Sequence, residues 1–217
     1  MSEIEYKIAL IGDSETGKSC IFKKLIIEIF REKYIPTIGI DRKTLNIKFD
    51  INKSGIVENK NFNINLIDIS GNEKFRQIIK GYFKSSDGIL IIYDITNRQS
   101  FENVKMWINF INENIKDKNK CVIILIGNKL DLIEKENNLR KVKEEEAKEI
   151  CSNNYLFWGG EISIKNIDIN ELKELFEVYI KKIYEKVGDK HIPKQRVIKI
   201  ENCRTRRNHG KSCTNSS

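Results

Sequence analysis

The sequence predicts an α/β fold of three layers, in which helices cover both faces of a mostly parallel, six-stranded sheet. Short apolar runs alternate along the chain with longer segments of helical periodicity, and this alternation is typical of α/β proteins. The runs "GILIIYDI" and "CVIILIGN" are almost continuously apolar, as are strands that are buried on both faces of a parallel sheet.

The first half of the chain supplies three of the predicted strands. "YKIALIG" is a short β-branched run that ends at glycine, and "KSCIFKKLIIEIF" after it has the apolar spacing of a helix. "KTLNIKFDI" and "FNINLIDI" alternate apolar and polar residues, as half-buried strands do. Residues 52–60 between them exceed the usual hairpin connection of about 2–5 residues, and we interpret them as an inserted loop.

The second half continues the alternation. "SFENVKMWINFINENI" predicts a helix with Ser100 as its N-cap, and "KVKEEEAKEICSNN" predicts another amphipathic helix. "LFWGGEIS" predicts the last strand, and residues 168–187 predict a final helix capped by Asp168. The periodic pattern fades after Gly188. We therefore expect one folded domain over residues 1–187 and a basic, flexible tail over residues 188–217.

The positive charge of the chain is concentrated in this tail. The net charge is +8, and residues 188–217 hold eight Lys or Arg and two acidic residues, which leaves +2 for the rest. Such a tail can contact an anionic membrane surface or nucleic acid, or can simply remain solvated. It has no aromatic residue on which bases could stack, so nucleic acid is the less favoured partner.

Cysteine usage and hydropathy bear on the compartment. Five cysteines are scattered along the chain without a CxxC pair, and the amino terminus shows no signal-peptide pattern. These two features predict reduced thiols in the cytosol. No apolar run reaches the length that spans a bilayer, so any membrane contact is expected from a surface or a lipid.

The stretch "GDSETGKS", residues 12–19, matches the phosphate-loop pattern G-x-x-x-x-G-K-[ST] between a predicted strand and a predicted helix. Backbone N–H groups of such a loop form a concave site for phosphate. Lys18 can reach the β and γ phosphates, and the Ser19 hydroxyl can ligate Mg²⁺. The alternative is a glycine-rich turn with a chance Lys-Ser pair. The predicted nucleotide contacts here are Asp13, Ser14, Glu15, Thr16, Gly17, Lys18, Ser19 and Cys20.

The stretch "GNKLDL", residues 127–132, predicts that the bound base is guanine. The Asp131 carboxylate can accept hydrogen bonds from N1 and the exocyclic amine of guanine, whereas adenine offers the wrong pattern of donors. Asn128 and Lys129 are expected to brace the ring and the loop. The alternative is an Asn-Lys-Leu-Asp turn without a ligand, since these residues favour turns.

Together these motifs resemble the Ras superfamily of small GTPases, and within it the Rab family. "YIPTIGID" resembles the Rab first switch and "DISGNEKFR" the second switch, and "YDITNRQSFENVKMW" and "GNKLDL" are also Rab-like. "EISIK" is similar to the third base-binding element of the family. The resemblance covers about residues 6–187 and implies a P-loop NTPase fold, the small G domain.

The resemblance implies roles for individual residues. Thr37 would ligate Mg²⁺ and sense the γ-phosphate, Asp68 would hold a Mg²⁺-bound water, and Gly71 would offer its N–H to the γ-phosphate. Phe30 matches the aromatic residue over the guanine, although such a residue on its own more often belongs to a core. The implied catalytic set is Asn72, Lys18, Thr37 and Gly71, the implied metal ligands are Ser19, Thr37 and Asp68, and the other implied nucleotide contacts are Tyr34, Ser163, Ile164 and Lys165.

The implied function is a Mg²⁺-dependent switch in vesicle-mediated membrane traffic, which hydrolyses GTP to GDP and phosphate. The implied partners are a guanine-nucleotide exchange factor, a GTPase-activating protein and effectors, which would contact residues 37–42 and 71–82 of a monomer. We expect the protein in the cytoplasm, peripheral on the cytosolic face of an endomembrane. The alternative is a GTP-binding scaffold with little or no hydrolysis.

Two departures from the family pattern bear on rates. Asn72 stands where the family usually has Gln, so its amide is one methylene shorter and we expect slow intrinsic hydrolysis. Alternatively, Asn72 favours the loop conformation or caps the next turn. Glu15 stands in the phosphate loop where Gly, Ala or Ser is usual. Its carboxylate should repel phosphates unless it faces solvent or pairs with a lysine, and we expect somewhat faster nucleotide exchange.

Other departures concern partners and the membrane. Arg42 stands where Phe is usual and Ile67 where Trp is usual, while Tyr82 is kept, so we expect an atypical set of effectors. Cys213, the candidate lipidation site, is followed by four residues, one more than a C-a-a-X site has. The basic residues before it fit the combination of a lipid and a polybasic stretch. Cys203 is a second candidate.

Overall fold

The computed structural model describes residues 3–27, 39–53, 56–71 and 76–190 of the chain. Within these ranges the strands are Ile4–Ile11 (β1), Ile40–Lys53 (β2), Ile56–Ile69 (β3), Gly88–Asp94 (β4), Val122–Asn128 (β5) and Phe157–Ile162 (β6). The α-helices are Lys18–Ile27 (α1), Arg76–Phe83 (α2), Arg98–Asn114 (α3), Leu130–Lys135 (α4), Glu144–Asn154 (α5) and Ile169–Val187 (α6). Short 3-10 turns at Lys118–Lys120 and Asn137–Leu139 precede β5 and follow α4. The predicted α/β alternation is confirmed.

The strands form one six-stranded sheet in the order β2-β3-β1-β4-β5-β6. Neighbouring strands pair in parallel except β2 and β3, which form an antiparallel hairpin. Because the parallel strands all end at one edge, the loops that follow them meet there. The phosphate loop follows β1, Asp68 lies near the end of β3, and Asn128 ends β5. Ligands bind at this edge in open α/β sheets.

Alternate residues of the central strands face two separate hydrophobic cores. Ile8 of β1 belongs to the core that includes Phe22 of α1 and Phe176 of α6. Its neighbour Ala9 belongs to the core on the opposite side, which includes Trp107 of α3 and side chains of α5. Helices therefore cover both faces of the sheet, as the sequence predicts, and they hold the strand ends in fixed positions around the site.

The interpretation of residues 52–60 as an inserted loop is wrong. β2 and β3 continue pairing through this segment, with Asn52 opposite Val57 and Lys53 opposite Ile56. The physical reason is that Phe49 and Ile51 keep the alternation of β2 and are buried. Extending the hairpin allows these two side chains to pack in the core beside α6. Residues 54–55 lie outside the described residues.

The prediction of Ser100 as an N-cap is also wrong. α3 begins at Arg98, and the side chain of Asn97 caps it by accepting a hydrogen bond of 3.2 Å from the Ser100 N–H. Ser100 is buried and its hydroxyl donates to the Asn97 carbonyl at 2.8 Å. Asn is as good an N-cap as Ser, and from its position three residues earlier it satisfies one of the free N–H groups of the first turn. The Asp168 cap of α6 is confirmed, with its carboxylate accepting from Asn170 N at 2.7 Å.

The chain after α6 contacts the sheet end that lies opposite the nucleotide edge. The Glu5 N–H donates to the Lys190 carbonyl at 2.9 Å, and the Lys190 ammonium pairs with Asp87 at 2.8 Å. Lys60 pairs with Asp189 at 3.2 Å. Most of the predicted tail, residues 191–217, lies outside the described residues. Within the described part of the chain, no helix is both long and apolar enough to cross a membrane.

Candidate nucleotide-binding site

The phosphate loop connects β1 to α1 and depends on two glycines. Gly12 has a φ of 134°, and a Cβ there would lie 2.1 Å from the Ile92 carbonyl oxygen. Gly17 has a φ of 99°, and a Cβ there would lie 2.1 Å from the Asn128 side-chain nitrogen. No side chain fits at either position, so these glycines allow the loop to pass close to β4 and β5.

Glu15 occupies the left-handed region at a φ of 65°, which is unusual for a residue other than glycine. Its side chain is exposed. The carboxylate therefore faces solvent, which is one of the two arrangements that would moderate its repulsion of phosphates.

Lys18 presents a buried cation to the loop. The side chain is 5% exposed, and burial lowers the pKa of Lys18 to about 8, while the charges of Asp68 and Asp13 raise it in part. Its ammonium donates to the Asp13 carbonyl. A desolvated ammonium beside a row of backbone N–H groups is a site for an anion, and a bound phosphate would restore the ordinary pKa of the lysine.

The Asp13 side chain is held by α3. Its Oδ2 accepts a hydrogen bond of 2.6 Å from Asn103 Nδ2, and its Oδ1 accepts one of 2.9 Å from Trp107 Nε1. Asp13 therefore anchors the loop through its side chain, and its part in the site is to fix the backbone that faces the phosphates. Asn103 and Trp107 lie within the Rab-like stretch "SFENVKMW", but no local pattern in the sequence indicates their contact with Asp13.

The predicted metal ligands Ser19 and Asp68 come from neighbouring elements at the same edge of the sheet. Ser19 lies in the first turn of α1, and Asp68 is 2% exposed near the end of β3. Gly71 lies against the phosphate loop, because a Cβ there would be 2.4 Å from Ser14 N. A hydroxyl and a carboxylate are ligands that suit Mg²⁺.

The described residues contain no group of three or more His, Cys, Asp or Glu side chains able to form a complete metal cage. Mg²⁺ usually takes one or two protein ligands and completes its shell with water and substrate phosphates. Ser19 and Asp68 beside a phosphate loop therefore fit this ion.

Asn128 connects the phosphate side of the site to the base side. It is fully buried, and its Nδ2 donates to the Thr16 carbonyl at 2.8 Å while its Oδ1 accepts from Ile164 N at 3.1 Å. The next residue, Lys129, adopts a left-handed conformation with a φ of 75° and pairs with Asp94 at 2.7 Å. Asn128 therefore holds the phosphate loop against the loop after β6, and the expected contacts of both residues with the base stay a prediction.

Asp131 and Ser163 form the base-binding corner. The Asp131 side chain is 5% exposed, and its Oδ1 accepts a hydrogen bond of 2.7 Å from the Ser163 hydroxyl. The same hydroxyl oxygen accepts from Asn166 N at 3.1 Å. A carboxylate can accept about four hydrogen bonds, so Asp131 keeps capacity for the two donors of a guanine ring.

The comparison with protein families agrees with this geometry. A model of the Ras family matches residues 7–185. The chain belongs to the Ras family. Its similarity to Rab and Ypt proteins, described next, makes it a Rab-like small GTPase, the type that regulates membrane traffic.

Several curated proteins are similar to this Rab-like chain. It is 33% identical to Ras-related protein RabT2 of Dictyostelium discoideum over 209 residues. This match covers 95% of this chain and 87% of that protein. It is 33% identical over 187 residues to GTP-binding protein ypt3 of Schizosaccharomyces pombe, covering 86% and 79%. The match to GTP-binding protein YPTM1 of Zea mays is 38% identical over 129 residues and covers 59% of this chain and 57% of that protein.

In this Rab-like GTPase an ion pair supports the base-binding corner. Arg140 donates to both carboxylate oxygens of Glu161, at 2.8 and 2.6 Å, and to the Val142 carbonyl at 2.9 Å. Glu161 stands in β6, two residues before Ser163. The stretch that contains Glu161 is recognisable in the sequence, but its partner Arg140 is not, because the two residues are distant along the chain.

The described residues bring together only part of the predicted site. They include the phosphate loop, Cys20 behind it, Asp68 and Gly71, and the base-binding corner with an exposed Lys165. Four further predicted residues lie outside them, namely Phe30, Tyr34, Thr37 and Asn72, as do Cys203 and Cys213.

The residues predicted to set the effector surface differ in exposure. Arg42 is exposed and pairs across the hairpin with Ile67, but Ile67 is fully buried in the core. Ile67 therefore contributes to packing and offers no contact to a partner, since an aliphatic side chain at this position packs inside the sheet. Tyr82 is half-buried.

Proposed function

We propose that this Rab-like GTPase is a Mg²⁺-dependent GTP/GDP switch in vesicle-mediated membrane traffic, with a slow intrinsic rate of hydrolysis. The observation that supports the proposal is the fully buried Asn128, which joins the Thr16 carbonyl of the phosphate loop to Ile164 of the base-binding corner. A site braced in this way recognises a phosphate chain and a base at a fixed separation, as a nucleotide requires.

Base recognition rests on Asp131. The Ser163 hydroxyl holds one of its oxygens, and the carboxylate accepts hydrogen bonds from N1 and the exocyclic amine of guanine. Adenine has no hydrogen on N1, so an adenine nucleotide would leave a buried carboxylate partly unpaired. The site should therefore bind adenine nucleotides more weakly than guanine nucleotides.

Hydrolysis requires little covalent participation by the protein. A water attacks the γ-phosphorus, the bond to the β–γ bridging oxygen breaks, and GDP and inorganic phosphate leave. The Lys18 ammonium and the backbone N–H groups of the loop and of Gly71 stabilise charge on the phosphate oxygens. Ser19, Thr37 and, through water, Asp68 would hold Mg²⁺, and the chemistry supplied by the bound ion is further neutralisation of phosphate charge.

Switching follows from the loss of the γ-phosphate. Contacts to Thr37 and to the Gly71 N–H end with hydrolysis, so the segments that contain them relax. Effectors, an exchange factor and a GTPase-activating protein would read residues 37–42 and 71–82. The exposed Arg42 at this surface favours partners that differ from those of a Rab with an aromatic residue there.

Asn72 supports the slow intrinsic rate. Its amide is one methylene shorter than the Gln that the family usually carries, so it reaches less far toward the attacking water. Intrinsic hydrolysis of this type is already about 10⁻⁴ per second, and an activating protein adds about 10⁵-fold. A GTP-binding scaffold with almost no turnover is the second candidate, and Asn72 together with Glu15 favours it.

A single-turnover assay of the chain preloaded with GTP distinguishes these functions. We expect measurable hydrolysis that rises in Asn72→Gln and stops without Mg²⁺. Equal and measurable rates for the chain and for Asn72→Gln would contradict the role of Asn72, whereas no turnover in either protein would favour the scaffold. Glu15→Gly serves as a second variant. It should slow GDP release, and unchanged release would remove the role of the Glu15 charge.

The basic tail supports a peripheral position on the cytosolic face of an endomembrane. A single lipid gives weak and reversible anchoring, and a polybasic stretch beside it makes anchoring stable. Cys213 is the candidate acceptor and Cys203 the alternative. Mass spectrometry of the protein isolated from its own cells should show an added prenyl mass that is lost in Cys213→Ser, and an unmodified tail would contradict the proposal.

A further inference from the structure

Lys24 of α1 is a buried lysine that no sequence motif includes. Its side chain is 7% exposed, and its ammonium donates to the Ile164 carbonyl at 3.0 Å and to the Ile167 carbonyl at 2.6 Å. A buried ammonium is unfavourable unless it is hydrogen-bonded, because burial removes its hydration. The two carbonyls compensate for this loss, and their position indicates what the lysine does.

Both carbonyls belong to the loop that follows β6 and carries Ser163. Ile164 is held on its two sides, since its N–H donates to Asn128 and its carbonyl accepts from Lys24. The Ser163 hydroxyl, one residue earlier, donates to the Asp131 carboxylate. The position of that hydroxyl therefore depends on the backbone at Ile164, which Lys24 holds through its hydrogen bond to the carbonyl.

These contacts close a ring around the nucleotide site. The ring runs from Thr16 through Asn128 to Ile164, and from Ile164 through Lys24 into α1. α1 begins at Lys18 of the phosphate loop, so the ring returns to its starting point along one rigid helix. Lys24 is the cation that joins the helix of the phosphate loop to the loop of the base-binding corner.

We propose that Lys24 is a positioning residue for guanine selectivity and for nucleotide retention. It acts through the backbone at Ile164 and Ile167, and it keeps the Ser163 hydroxyl on Asp131. This inference rests on the proposed function, because it assigns a determinant of guanine binding at the same site. Loss of the ammonium leaves the buried Ile164 carbonyl and the partly buried Ile167 carbonyl without this donor, which loosens the loop and weakens the contact between Asp131 and the base.

The test compares release of GDP and of inosine diphosphate from the full chain and its variants. Inosine lacks the exocyclic amine of guanine, so it reports binding that depends less on Asp131. In Lys24→Met we expect GDP release to rise about tenfold, as the loss of about 1.4 kcal/mol predicts. Release of inosine diphosphate should rise less, so the ratio between the two rates shrinks. Lys24→Arg should restore most of the difference.

Lys23→Met is the matched control, since it removes the same charge from the neighbouring half-buried position of the same helix. It should release both nucleotides like the unchanged chain. Ser163→Ala tests the route of the effect. If Lys24 acts through Ser163, the double variant Lys24→Met/Ser163→Ala should release GDP little faster than the faster single variant. Should Lys24→Met fail to fold, Lys24→Gln takes its place, with the same expected direction.

Three outcomes would overturn the inference. They are equal release from the Lys24→Met and Lys23→Met proteins, an equal acceleration of both nucleotides in Lys24→Met, and effects of Lys24→Met and Ser163→Ala that multiply. The proposed function is tested separately by the unchanged chain. If that chain retains no guanine nucleotide, the proposed function itself is wrong, whereas retention with no effect of Lys24→Met is evidence only against the role of Lys24.

Discussion

The carboxylate of Asp13 in the phosphate loop accepts a hydrogen bond of 2.9 Å from the indole nitrogen of Trp107 on α3. Trp107 is 1% exposed, so this bond joins a charged acceptor to a donor inside the core. The ring of Trp107 also contacts Phe110, which packs edge-on against Phe83 of α2 with centroids 5.5 Å apart. α3 thus touches the phosphate loop and the helix of the second-switch region at once.

Replacing Trp107 with Phe tests this contact. The ring keeps most of its packing but loses the donor, and hydrogen bonds to charged groups contribute about 1.5–3 kcal/mol. We expect GDP release to rise by about tenfold or more. Trp158→Phe is the matched control, because the Trp158 indole also donates to a carboxylate, that of Glu144 at 3.2 Å, which is not part of the phosphate loop. Similar release rates in the two variants would show that Trp107 does not fix the loop.

Asn128→Ala should weaken nucleotide binding more than any change on the surface. The substitution removes the buried side-chain amide that pairs with the Thr16 carbonyl and the Ile164 N–H. Each unpaired group costs about 1–3 kcal/mol of stability. GDP release measured by a fluorescent analogue should rise at least tenfold. Asn138→Ala removes an exposed hydrogen bond to Glu136 and should change nothing. A GDP release rate in Asn128→Ala that is less than twice that of the unchanged chain would contradict the bracing role.

Arg140→Met should destabilise the fold, because it leaves the Glu161 carboxylate, whose side chain is 9% exposed, without its bidentate partner. Breaking a buried pair costs about 3–5 kcal/mol, and we expect about 2–3 kcal/mol here since Arg140 is partly exposed. Urea unfolding gives the value. Arg98→Met removes an exposed pair with Glu146 and should leave the urea midpoint almost unchanged. Equal midpoints for the two variants would contradict the assigned difference.

The free energy of unfolding should fall as the pH rises above about 9. Burial raises the pKa of Cys121 to about 12 and the pKa of Cys151 to about 11, from the ordinary value of 9.0. Between these values the unfolded chain has lost protons that the folded chain still binds, so higher pH favours unfolding. Burial also raises the pKa of three tyrosines, which extends the trend: Tyr6, Tyr93 and Tyr179.

Urea unfolding across pH 8–11 measures this dependence. The double variant Cys121→Ala/Cys151→Ala should show a shallower decline than the unchanged chain at pH 9–10. The same slope in both proteins would mean that these thiols ionise equally well in the folded and unfolded states.

Features encoded by adjacent residues were predictable from the sequence. The apolar runs predicted the strands, and the loop around Lys18 and the turn around Asp131 could be recognised because their chemistry lies within a few consecutive residues. Lys24 and Ile164, Asp13 and Trp107, and Arg140 and Glu161 meet only after folding. No local pattern distinguishes such side chains from ordinary charged or core residues.

The two wrong predictions have a similar origin. The polar residues after Ile56 resemble a loop, yet an outer hairpin tolerates polar side chains as long as its inner face is filled, here by Phe49 and Ile51. Ser100 is a residue type that suits an N-cap, but Asn97 is equally suitable, and it is the Asn97 side chain that accepts the free N–H of the first turn.

Analysis of the nucleotide bound to the purified full-length chain tests the central claim most directly. The denatured protein should release guanine nucleotide in an amount close to that of the chain, and no adenine nucleotide. Reloaded with GTP and Mg²⁺, it should then form GDP slowly in a single turnover. Adenine nucleotide in the site, or no binding of GDP or GTP even when they are added in excess, would contradict the account.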